Sequence, residues 1–173
     1  MSNAGTAGGA PAEGCIGYLE VMARMGHVPS TFTLKMGRTW AAQPLPAWVA
    51  RGPQRQCYLN AGTLALENAD LTYVEGYAQP LRGLPVHHAW CVDAEGRVID
   101  NTFTDPEAAQ YFGVPLTTKT LRELVEVTRQ WGLFAEMMSA ETLLRAVDDV
   151  QAGAFAVEAV EADAVRALIK QHA

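Results

Sequence analysis

A cysteine, a histidine and an aspartate spaced along the middle of the chain are the residues best suited to chemistry. Cys57 follows the Arg51-Gly52-Pro53 break and opens a helical run, and His88 and Asp100 flank the turn Asp93-Ala94-Glu95-Gly96. A thiol attacks as its thiolate, so it needs a base to take the proton and an acceptor to orient that base, all within hydrogen-bond reach. The positive end of a helix dipole favours a thiolate at Cys57, and the backbone amides there suit a developing oxyanion. His88 lies five residues before Asp93 and Asp100 four after Gly96, so on paired strands their side chains stand side by side. Alternation aims His88, together with Val86 and Trp90, at the helix and turns His87 away.

The three cysteines, Cys15, Cys57 and Cys91, form no CxxC pair, which speaks against a disulfide framework or a zinc ribbon. Zinc is the chemical competitor, because His88-x-x-Cys91 with His87, Cys57 or Asp100 offers acceptable donors. A strand sends His88 and Cys91 to opposite faces, however, so no metal or other cofactor is expected. Cys15 and Cys91 read as packed thiols.

These residues depend on the elements that carry them. Ile16, Leu19, Met22 and Ala23 recur at helical spacing, with Gly26 as the stop. Pro29, Pro44 and Pro46 make residues 28–50 read as irregular, with a brief strand near 31–35 and a helical turn near Trp48. The run after Cys57 holds Leu59, Ala61, Leu64, Ala65 and Leu66, a buried helix weakened by Gly62. Residues 71–78 and 86–92 read as strands, and 97–103 as the hairpin partner of the second. Asp105-Pro106-Glu107 reads as a helix start. Thr120 with Glu123 marks another, stopped by Gly132. Further helices are expected near 141–150 and 158–170, and Phe134, Met137 and Met138 read as part of the helical cover. The result is an α+β chain.

With 173 residues, of which 49% are hydrophobic, residues 15–173 can bury one core as a single domain. Residues 1–14 carry four glycines among small polar residues and read as a flexible tail, or as a remnant of an expression tag at Ser2-Asn3-Ala4. The 13 basic and 19 acidic residues leave a charge of −6 with no Lys/Arg cluster, which disfavours nucleic acid. No apolar run is long enough to span a bilayer and no secretory signal opens the chain, so a soluble, cytoplasmic protein is expected.

From Gln54 to Phe103 the chain resembles the transglutaminase-like superfamily of papain-like cysteine enzymes. The Cys-x-x-x-Ala helix start is matched by Cys57 and Ala61, and the strand ending in Gly-Tyr by Gly76-Tyr77. The His-Ala-Trp strand is matched by His88-Ala89-Trp90, and the Asp-Pro-Thr segment in part by Asp100-Asn101-Thr102. Gln56 and Asn101 stand where the family has Gly before the nucleophile and Pro after the acid. The resemblance implies a papain-like core, in which a helix packs on a small antiparallel sheet with further C-terminal helices, and acyl transfer through a thioester. Cys57 would attack an amide carbonyl of a peptide or protein substrate, His88 would exchange the proton, and Asp100 would hold the imidazole. The Cys57 amide and the side chain of Gln54 or Gln56 would bind the oxyanion, with Trp90 beside the base and Tyr77 lining the cleft. The competing class is an inactive papain-like module that binds a partner peptide.

Overall fold

The two long strands expected from sequence form an antiparallel pair, β2 (Thr72–Gln79) and β3 (Val86–Val92), in a computed structural model that describes residues 13–132. Ahead of them come α1 (Glu13–Arg24), α2 (Val28–Met36), β1 (Arg38–Trp40) and α3 (Cys57–Glu67). After them come β4 (Val98–Ile99), a 3-10 turn at Pro106–Ala108, β5 (Gln110–Leu116) and α4 (Thr118–Thr128). The fold is α+β, and its five-stranded antiparallel sheet runs in the order β1-β5-β2-β3-β4. Among the described residues no helix is long and apolar enough to cross a membrane.

The sheet curls. Its outer strands β1 and β4 lie at opposite ends of the strand order, yet Trp40 and Val98 belong to one cluster with Val74, Trp90 and Tyr111. An isolated parallel bridge between Ala41 and Arg97 joins the two ends, with the Val98 N–H donating to the Ala41 carbonyl at 2.8 Å. The opposite face carries the helices: Ala61 and Ala65 of α3, Phe32 and Met36 of α2 and Leu121 of α4 pack with Tyr73, Ala89 and Cys91. Leu19 of α1 packs with Tyr77 and Phe112.

Several elements differ from the sequence reading. Residues 28–36 are helical rather than irregular, because Pro29 falls in the first turn, where a missing N–H leaves no bond unmade. The brief strand expected near 31–35 is not formed, and the Thr33 hydroxyl donates back to the Pro29 carbonyl at 2.8 Å within the helix. The hairpin turn is as expected, with Gly96 at φ 75 and Asp93 Oδ1 accepting from the Glu95 and Arg97 amides. The partner strand is not residues 97–103 but Val98–Ile99 alone, because the chain turns at Asp100. Asp105-Pro106-Glu107 leads only into the 3-10 turn, and β5 follows unforeseen. Its Pro115 lies beyond the three residues paired with β1, so the missing N–H interrupts no ladder there. Helix α4 begins before Thr120 and ends at Thr128, followed by Arg129 in the left-handed conformation at φ 58, rather than running to Gly132. Helix α1 begins at Glu13 and closes at Gly26, φ 84. The helices expected near 141–150 and 158–170, together with Phe134, Met137 and Met138, lie outside the described residues.

Candidate active site

Asp100 is the anchor of the site. It is fully buried, and the chain wraps around it: Oδ1 accepts from the Thr102 N–H at 2.8 Å and the Phe103 N–H at 3.2 Å. Aspartate favours such a turn because its side chain substitutes for a backbone acceptor, and this is what stops β4 after two residues. Oδ2 accepts from His88 Nε2 at 2.7 Å and from the Tyr111 hydroxyl at 2.9 Å. Burial alone would raise the Asp100 carboxyl, but His88 and the two backbone N–H groups outweigh it and hold it below the ordinary value of 3.8.

His88 is 2% exposed and sits on the inner face of the curled sheet, where alternation places it with Trp90. Phe103 stacks on its ring at 4.1 Å, and Trp90 stacks on the same imidazole at 6.2 Å. Burial works against its charge, while Asp100 and then Cys57 favour it, and the balance raises the imidazole from 6.5 to about 9. Since Nε2 is engaged by Asp100, Nδ1 is the nitrogen left for Cys57, which also favours the charged imidazole. The imidazole therefore lies between a carboxylate and a thiol.

Cys57 reaches His88 by a route the alternation argument did not describe. The body of α3 packs on the face of Ala89 and Cys91, with Cys91 Sγ donating to the Ala61 carbonyl at 3.2 Å. His88 points to the other face, so it does not face the helix. The two meet at the rim, because β4 pairs only with Cys91 and Val92 and the first turn of α3 reaches the start of β3. Asn60, one turn into α3, fixes this junction through bonds from its amide nitrogen to the Pro53 carbonyl at 2.8 Å and Thr102 Oγ1 at 2.9 Å. Arg51 holds the far side by donating to the Phe103 and Thr104 carbonyls.

Cys57, His88 and Gln54 line an open cleft of about 620 Å³ with Tyr58, Pro85, Val86 and Phe103. Cys57 is 9% exposed, whereas Cys15 and Cys91 are fully buried. Burial raises the Cys15 thiol to about 11 and pushes Cys91 higher still. Gln56 caps the start of α3 on the other side and lines a separate groove with Trp48 and Asn60. Trp90 is fully buried behind His88. Tyr77 does not line the cleft: its hydroxyl is bonded to His87 Nε2 at 2.9 Å and Ser30 at 3.3 Å beneath α2. His87, which alternation turns away from His88, is half-buried and does line the cleft. Among the described residues no group of three or more His, Cys, Asp or Glu side chains could hold a metal ion, and His88 and Cys91 project to opposite faces.

The arrangement missed by sequence reasoning comprises Tyr111, Phe103 and Asn60. Tyr111 depends on β5, which has no clear alternating pattern around Gly113 and Pro115; Asn60 lies one helical turn after Cys57, a spacing that could have marked it. Comparison of the chain with protein-family models, with curated proteins and with solved structures finds no match.

Proposed function

We propose that the protein is a cysteine-dependent amide hydrolase or acyl transferase working through a Cys57-His88-Asp100 triad and a thioester. One observation carries this reading: a buried imidazole hydrogen-bonded to a carboxylate lines the same cleft as a thiol at the start of a helix. His88, raised to about 9, is the group that takes up and holds the thiol proton as the sulfur becomes the nucleophile. The sulfur attacks the carbonyl, the C–N bond breaks, and the amine leaves with the proton from His88. Water or an amine then attacks the thioester while His88 takes its proton, and the acyl group departs as acid or new amide. The amides at the start of α3 suit the oxyanion, with the side chain of Gln54, on the cleft wall, as the second donor. The curled sheet with a nucleophile helix at its rim supports a papain-like core.

The test uses 4-nitrophenyl acetate and mass spectrometry of the acylated chain. The expected result is one acetyl group on Cys57, and a loss of about 10²- to 10⁴-fold in acylation rate for His88→Ala. Equal acylation of Cys15 and Cys91, or indifference to His88→Ala, would sink the triad.

A further inference from the structure

The cleft has a charge pattern that the triad does not use. Arg55 is the sole Lys, Arg, Asp or Glu among its lining residues. Asp100, the nearest carboxylate to the base, is shut behind His88 and already accepts four hydrogen bonds. Arg55 is exposed and forms no ion pair among the described residues. Its neighbour Arg51, by contrast, spends its guanidinium on backbone carbonyls.

The backbone at Arg55 adds a second observation. It stands at φ 64, in the left-handed region where a glycine or asparagine is the comfortable residue. An arginine held in this conformation, two residues before Cys57, bears a steric penalty that no ion pair of its side chain offsets among the described residues. Residues kept in such conformations cluster at ligand-binding and catalytic sites. The molecule carries a formal charge of −6, so an anion approaching the cleft is opposed by the overall field and needs a local cation.

We propose that Arg55 selects acyl donors bearing a carboxylate close to the scissile carbonyl, a specificity that rests on the triad reading above. The guanidinium receives the carboxylate through paired N–H donors, and Pro85, Val86 and Phe103 supply an apolar wall for the hydrocarbon part.

Iodoacetate and iodoacetamide test this without a known substrate. Both form an S–C bond to Cys57 with loss of iodide, and they differ only in bearing a carboxylate or a neutral amide. The readout is the ratio of their alkylation rates at Cys57 in the full chain. Arg55→Gln is expected to lower the iodoacetate-to-iodoacetamide ratio about three- to tenfold, the effect of one nearby charge in a partly solvated cleft. Arg55→Lys should recover most of it, and Arg82→Gln, a charge change outside the cleft lining, should shift it less than about twofold. An unchanged ratio in Arg55→Gln, or an equal fall in Arg82→Gln, would overturn the specificity while leaving the triad standing. Failure of both reagents to modify Cys57 in the folded protein would overturn the triad and this inference with it.

Discussion

Asp100 holds the site together because four donors converge on its two oxygens and leave it one orientation. Tyr111 is the donor outside the proposed triad, and burial together with Asp100 raises its hydroxyl, so it stays a phenol that can donate. Tyr111→Phe should therefore destabilise the fold by about 1.5–3 kcal/mol, the range for a hydrogen bond to a charged group, measured by urea denaturation. A change below about 0.5 kcal/mol would mean that the bond is replaced without loss. Cys57, His88 and Asp100 were legible in the sequence because a helix start, an alternating strand and a Gly-containing turn each leave a local mark. Tyr111 and Phe103 were not, since their contacts with Asp100 and His88 arise from where β5 and the post-Asp100 turn are packed. Tyr77 was misplaced for a related reason: its neighbour Gly76 suggested a cleft, but the strand turns the tyrosine toward α2.

At the scale of elements, the curled sheet depends on two facing glycines. Gly76 and Gly113 are register partners on β2 and β5, and a Cβ on Gly76 would lie 2.4 Å from the Gly113 Cα and from the Phe112 carbonyl oxygen. A Cβ on Gly113 would meet the Glu75 oxygen at 2.7 Å and the Trp90 ring at 2.8 Å. These are backbone and core atoms that cannot step aside, so the two strands approach this closely only because neither has a side chain. Gly76→Ala should cost about 3 kcal/mol or more, visible as a lowered thermal midpoint, against the 1–3 kcal/mol usual for an overpacked core. A neutral result would show that the strands can separate. Strand β2 was legible because it is rich in β-branched and aromatic residues, and β3 because it alternates. Strand β5 was not, because its Gly113 and Pro115 are residues that normally end strands; Gly113 is kept by a close approach and Pro115 by lying beyond the residues paired with β1. Helix α2 was misread because Pro29 marks a helix start as readily as a break.

For the molecule as a whole, the His88-Asp100 pair ties stability to pH at both ends. His88 is raised from 6.5 to about 9, so its contribution is complete below 6.5 and disappears as pH climbs through about 9. Asp100 is held below 3.8, so its contribution is present above that value and disappears as pH falls through the lowered one. The urea midpoint should therefore fall between pH 7 and 10 in the native protein and fall less steeply in His88→Gln; parallel declines would assign the alkaline loss to other groups. The bridge between Ala41 and Arg97 has its own consequence at this scale. An open sheet exposes two rows of unpaired amides and carbonyls that can recruit a strand from another molecule. Here the outer edges of β1 and β4 are turned toward each other and joined, and the start of β3 that β4 leaves uncovered is met by the first turn of α3. The bridge that closes the sheet thus also guards its outer edges against self-association, so loosening it would be felt as aggregation.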